Sequence, residues 1–222
     1  MVPMWKNAPR LARGYYAWKP VAVKQMAEMF PYFLCIDAGA LVLRSPAPLF
    51  EYIREHGHFF MHKGDGTIKD YITRPQVEKI VKKLPLNDQH TIMSSDAYCI
   101  LSGLIGLSKK FYTSLIEPIY KMTSDITLFE DDGSSKYGYG WIAYEQIHFS
   151  IFKHVLKLES HQMPGWISLK IGKKEVPLYL HWEIDKIIPE TTIYHSQRST
   201  ALFGEKSAHA RYLNPAGPKK NK

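Results

Sequence analysis

Phe33-Leu-Cys-Ile-Asp37-Ala-Gly39-Ala-Leu-Val-Leu43 is the stretch on which the fold turns. It is almost continuously apolar, it lies between Pro31 and Pro46, and it carries one acid. A short apolar run of this kind reads as a strand buried on both faces. A carboxylate within it is costly unless it is paired, hydrogen-bonded or bound to a cation. Asp37 is therefore either an acid kept for nearby chemistry or a structural acid that caps a helix or pairs with an arginine.

The pattern on either side supports an α/β chain. Pro20 suits the first turn of a helix, where its missing N–H does no harm. Val21, Val23, Met26, Ala27 and Phe30 give that helix an apolar face, and Pro31 stops it. Leu49 to His56 reads as a short helix closed by Gly57, His58–His62 as a strand, and Arg74–Leu84 as a helix. Residues 97–107 form a second buried run, after which Ser108 is expected to cap a helix reaching Tyr120. Residues 124–140 are acidic and glycine-rich and read as a surface loop. Trp141–Leu158 is an amphipathic helix, and Trp166–Ile171 and Val176–Trp182 are strands. From Thr191 the apolar pattern fades. Helices alternating with buried strands predict an α/β fold with a mixed sheet, occupying residues 1–190. Residues 191–222 read as an extension with a basic, disordered tail. Ligands of such sheets bind outside the carboxyl ends of the strands, and Asp37-Ala-Gly39 lies near such an end.

Composition narrows the function classes. The chain has 222 residues, 45% hydrophobic and 13% aromatic, enough for one globular core. Its 14 Tyr and 5 Trp suit either a tyrosine-rich core or flat apolar faces for sugars and nucleotides. The net charge of +8 attracts phosphates in general. No helix-turn-helix, zinc-finger or RNA-binding sheet motif accompanies it, so nucleic acid is not the expected partner. The two cysteines, Cys35 and Cys99, sit in apolar runs and read as buried thiols. No apolar run reaches the ~18 residues of a membrane span, and the first residues lack a signal-peptide core. The chain as written is expected in the cytosol. No Ser-His-Asp, Cys-His or zinc constellation appears. Among the histidines, His181 reads as a satisfied strand residue, and His148 and His154 are expected to face solvent.

Two motifs carry a resemblance. Phe33-Leu-Cys-Ile-Asp37-Ala-Gly-Ala-Leu-Val-Leu-Arg-Ser-Pro46 resembles the central strand of GT-A glycosyltransferases. Glycogenin-like members have Asp-x-Asp there, whereas this chain has Gly39 at the third position. Bacterial surface-polysaccharide transferases often pair Asp-Ala-Gly with an upstream Trp-Lys-Pro, and this chain has both, Trp18-Lys19-Pro20 and Asp37-Ala-Gly39. The resemblance spans roughly residues 13–160. It implies a nucleotide-sugar donor and a saccharide or lipid-linked acceptor. Asp37 would act on the donor diphosphate, directly or through Mn²⁺ or Mg²⁺, which favour oxygen ligands and substrate phosphates. Lys19, Arg13, Trp18, Gly39 and Gly103 would face the donor, with Lys19 as a point charge on phosphate. Glycines in Ser102-Gly103-Leu-Ile-Gly106 either admit the donor sugar close to the backbone or mark tight strand–helix packing. Glu145, after the loop Tyr137-Gly-Tyr139-Gly-Trp141, would take the acceptor proton or orient the sugar. Tyr139, Trp141 and Gln146 would meet the acceptor. Alternatively, Glu145 only complements a helix N-terminus.

GT-A folds begin with a strand and helix that bind the base and ribose, some tens of residues before this strand. Only 32 residues precede Phe33 here. The expectation is a chain lacking part of the N-terminal nucleotide-binding unit, with a sheet edge exposed to self-association. Two functions follow from the resemblance, a glycosyltransferase or a non-catalytic remnant binding a glycan or protein.

Overall fold

The computed structural model describes residues 16–82, 91–130, 144–181 and 191–195. Helix α1 (Trp18–Met29) leads into strand β1 (Tyr32–Ile36) and, after a turn, β2 (Ala40–Val42). Helix α2 (Ala47–His56) ends at Gly57, whose φ of 86° places it in the left-handed region while its N–H bonds Ile53 O. Strands β3 (His58–Phe59) and β4 (Met61–Thr67), then helices α3 (Ile68–Tyr71) and α4 (Arg74–Val81), follow. Strands β5 (Tyr98–Ile100) and β6 (Leu104–Ser108) precede a helical segment that changes pitch. It runs as a 3₁₀ turn (Lys109–Phe111), a π turn (Tyr112–Ile116) and helix α5 (Glu117–Met122). Helix α6 (Tyr144–Val155), β7 (His161–Gln162), the hairpin β8 (Gly165–Ile171) and β9 (Lys174–His181), and β10 (Thr191–His195) complete the order.

The described residues form a mixed α/β architecture with three sheets, ordered β1-β6-β3, β2-β10-β9-β8 and β5-β4-β7. Both parallel and antiparallel pairs occur, for example β10 parallel to β9 and antiparallel to β2. The run 33–43 is not one strand buried on both faces. It breaks at residues 37–39, where Ala40 N–H bonds Asp37 O at 2.9 Å in a turn. Its two halves enter different sheets, β1 pairing β6 antiparallel and β2 pairing β10. Only Phe33 of β1 is fully buried, while Leu41, Val42 and Leu43 are exposed on the outer strand and just beyond it. The run 97–107 breaks in the same way between β5 and β6.

Three further expectations change. Ser108 makes no side-chain cap to the segment after it. The fading pattern after Thr191 contains β10, which sits between β2 and β9, with Thr191, Thr192 and Ile193 buried. A strand with two threonines offers little apolar periodicity, and its place is set by its neighbours. His148 does not face solvent: it is 1% exposed.

Two apolar clusters flank the first sheet. One gathers residues of α1, α4, α5 and α6 around Phe60, Ile100 and Ile105. The other gathers Leu49, Tyr52 and Ile53 of α2 with Leu104, Leu169, Leu180 and Ile193. Gly106 is where α2 meets β6. It pairs with Leu34 on one side and Phe59 on the other. A Cβ on it would lie 2.4 Å from Ile53 Cδ1 and 2.9 Å from Phe59 Cβ. At this position the close-packing reading of the glycine is the one the structure bears out. Gly106→Ala should lower stability by about 1–3 kcal/mol through overpacking, read as a fall in the urea midpoint with unchanged slope.

Burial also holds imidazoles neutral. Burial lowers the pKa of His58, His62, His154 and His161, and lowers that of His148 to about 4. In the unfolded chain these groups titrate near ~6.5. Their neutral forms stabilise the fold fully above that value, and the contribution is lost as pH falls through the folded values. Urea midpoints should therefore drop steadily from pH 7 to pH 4.5. A flat profile would show that these imidazoles do not titrate with unfolding.

Candidate functional site

The register of β1 against β6 builds the site. Ile36 pairs with Leu104, so the next residues on each side, Asp37 and Gly103, face each other, and Asp37 N–H bonds Gly103 O at 2.9 Å. Ser102 stands beside them in the break between β5 and β6. Helix α1 brings Lys19 from its first turn. Helix α6 brings Glu145 and Gln146 from its own first turn, and Ser150 docks that helix on β5. Ser150 Oγ accepts Ile100 N–H at 3.0 Å and donates to Gln146 O at 2.6 Å.

Four segments thus meet at one ammonium. Lys19 Nζ lies 3.0 Å from Asp37 Oδ1, 2.9 Å from Glu145 Oε1 and 3.2 Å from Ser102 O. An ammonium has three N–H donors, and each has an acceptor. Ser102 Oγ–H donates to Glu145 Oε1 at 2.9 Å and lies 3.3 Å from Gln146 Oε1. Gln146 Nε2 in turn donates to Cys99 Sγ at 3.4 Å. Side-chain exposure is 3% for Lys19 and 5% for Glu145, but 39% for Asp37. Asp37 is therefore the face the cluster turns outward.

The electrostatics follow from that burial. Desolvation alone would lower the Lys19 pKa, but the carboxylates of Glu145 and Asp37 more than reverse it, so Lys19 stays charged. Burial pushes the Glu145 carboxyl up, against the pull of Lys19 and Ser102. Burial likewise raises the Cys35 thiol nearby and raises Cys99 to about 11, so neither is a thiolate at neutral pH. Both cysteines are free thiols.

Two tyrosines flank the cluster in left-handed backbone, Tyr16 (φ 60°) before Lys19 and Tyr144 (φ 33°) before Glu145. Their ring centroids lie 5.5 Å apart. Non-glycine residues hold that conformation only where surrounding packing imposes it. Trp18 is 48% exposed at the start of α1.

The structure thus brings together Lys19, Asp37, Gly103, Glu145 and Gln146, each singled out separately in the sequence. Ser102, named in the sequence only as the start of the Ser102-Gly103-Leu-Ile-Gly106 stretch, takes part through its hydroxyl, which ties the strand break to α6. Gly39 lies in the turn after Asp37. Arg13, Tyr139 and Trp141 lie outside the described residues. His181 is buried and stacks on Tyr179 at 5.8 Å.

A divalent cation needs several oxygen ligands. Asp37 offers one carboxylate with an oxygen already on Lys19, Gly39 offers no side chain, and Glu145 is buried against Lys19 and Ser102. Among the described residues no group of three or more His, Cys, Asp or Glu could hold a metal ion. Among them, too, no helix is long and apolar enough to cross a membrane.

Lys19→Met should lower stability by about 3–5 kcal/mol at pH 7, because it leaves two carboxylates facing each other without a cation. The deficit should shrink toward pH 5 as Glu145 takes up a proton. Urea titrations of wild type and variant at both pH values read it; a deficit independent of pH would mean that lost packing, not charge, is responsible.

No protein-family model matches the chain, and no curated protein matches it. The crystal structure of mouse xyloside xylosyltransferase 1 in its apo form aligns with a TM-score of 0.39 and 12% identity, over 89% of this chain and 68% of that one. A likeness of that size assigns neither fold nor activity.

Proposed function

We propose that the chain is a glycosyltransferase moving a sugar from a nucleotide-sugar to a saccharide or lipid-linked acceptor. The observation that carries this reading is the convergence of Trp-Lys-Pro, Asp-Ala-Gly, the Ser102-Gly103 break and Glu145-Gln146 on one ammonium. These four segments are far apart in sequence, and a GT-A-like resemblance marks each of them.

In this reading Asp37 is the residue that touches substrate. Its carboxyl group is oriented by Lys19, and its outward face accepts hydroxyl or water-mediated contacts from the donor sugar and its diphosphate. Lys19 has no N–H left for phosphate, so it acts as a positioning residue. Glu145 is a second positioning residue: it fixes Lys19 from below, and Ser102 fixes Glu145. Gly103 shapes the wall opposite Asp37, and Trp18 offers an apolar face beside it. Gln146, Tyr139 and Trp141 serve the acceptor side, and Arg13 the donor phosphates. Because the described donor set does not suit Mn²⁺ or Mg²⁺, no step is assigned to a cation.

The saturation of Lys19 supports a second reading, a non-catalytic module in which Asp37 and the aromatic surface bind a glycan. Calorimetry separates the two. Wild type titrated with UDP, GDP, their sugars and the free sugars, with and without Mn²⁺, should bind one nucleotide-sugar far better than its free sugar. Asp37→Asn should weaken that binding at least tenfold. A folded, monodisperse protein that binds free saccharide but no nucleotide would sink the transferase reading and leave the glycan-binding one.

A further inference from the structure

Helix α6 carries a second buried lysine at its far end. Two contacts set how the helix lies on β5: Gln146 Oε1 is 3.3 Å from Ser102 Oγ, and Ser150 Oγ accepts Ile100 N–H at 3.0 Å. The helix thus runs back along the strand, toward Tyr98. Lys153 is three residues beyond Ser150 and on the same face of the helix. It is only 9% exposed.

Lys19 has three acceptors, whereas no described residue accepts a hydrogen bond from Lys153 or pairs with it. The carbonyls of the last turn have donors of their own: Lys153 O accepts Leu158 N–H and Phe152 O accepts Leu156 N–H, each at 2.9 Å. Asp96 is exposed and forms no ion pair with Lys153. Burial lowers the Lys153 pKa, and the Asp96 charge offsets only part of that. An ammonium buried without a counter-charge is costly, and an anion that supplies one is favoured.

A second donor stands at the same end of the sheet. The Tyr98 ring stacks on that of His62, with centroids 4.8 Å apart, and Ser160 Oγ lies 3.0 Å from His62 Nδ1. With the hydroxyl donating, the ring proton is on Nε2, and no described residue accepts it. Burial and then the Lys153 charge lower the His62 pKa, so the two groups feel each other. We propose that Lys153 and His62 bind a phosphate group, with the ammonium as its counter-charge and the His62 Nε2–H as a second donor. A tetrahedral dianion offers oxygens to both donors and more charge to the ammonium than a carboxylate does, and the net charge of +8 favours its approach. The site stands roughly 12 Å along α6 from Glu145 and does not depend on the transferase reading.

Calorimetry and nitrogen NMR of the His62 imidazole test it in the full chain at pH 7 and fixed ionic strength, with inorganic phosphate, methyl phosphate and acetate as probes. Inorganic phosphate should bind in the millimolar range and shift His62 Nε2 saturably, and acetate should bind at least tenfold more weakly. Lys153→Met keeps an apolar stem in place and should weaken phosphate at least tenfold, while Lys153→Arg should retain it. Methyl phosphate binding as tightly as inorganic phosphate would support a phosphate monoester as the ligand, and binding of inorganic phosphate alone would support the free ion. Acetate binding as tightly as phosphate, or phosphate binding that survives Lys153→Met, would overturn the proposal. No phosphate-dependent shift at His62 would also overturn it and leave a lysine whose ammonium meets only water.

Discussion

A buried ammonium is an unstable thing to build a protein around. Removing Lys19 from water costs several kcal/mol, and only well-placed counter-charges and hydrogen bonds offset it. The fold supplies them from three directions, with Asp37 at the end of β1, Glu145 at the start of α6 and the Ser102 carbonyl in the strand break. None of these is a sequence neighbour of Lys19, so the charge is satisfied only when α1, the first sheet and α6 are all in place. One side chain therefore reports on the assembly of most of the domain, because any partial structure leaves it short of an acceptor.

The same geometry separates exposure from charge. Two carboxylates share one ammonium, but only Asp37 reaches solvent. Its neighbour Glu145 is sealed in and held by Lys19 and Ser102. A ligand arriving at the surface meets a single carboxylate whose direction is already fixed. That preorganisation means little rearrangement is needed on binding. The left-handed tyrosines on either side, Tyr16 and Tyr144, belong to the same arrangement, since each turns the chain into the helix that carries a cluster residue. Left-handed backbone thus stands at the entry to both of the first turns that carry Lys19 and Glu145.

Much of this was legible in the chain. An acid inside an apolar run has few tolerable explanations, and Asp37 proved to be paired as that argument requires. The helices α1, α2 and α6 followed from proline starts, the glycine at 57 and apolar spacing. What sequence could not show was set by partners. Periodicity sees an apolar run at 33–43 but not that its halves enter different sheets, because the break depends on which strands lie beside it. Strand β10 carries two threonines and is specified by β2 and β9. His148 reads as a polar position on a helix, yet it is buried and stacks on Phe129. The change of pitch from 109 to 122 has no signature that a helix propensity would register.

The break at residues 37–39 ties these threads together. It ends β1, which belongs with β6 and β3, and starts β2, which belongs with β10, β9 and β8. The turn is thus the covalent joint between two sheets, and its first residue is the one that Lys19 holds. Asp37 is fixed twice, through its side chain to Lys19 and through its N–H to Gly103. A continuous strand through this point would have carried the acid into a single sheet and buried it. Splitting the run lets the chain turn outward while the paired backbone holds the carboxylate in register. The apolar residues that made the stretch look like one buried strand are shared between two structures, and the acid stands at the seam where neither sheet covers it.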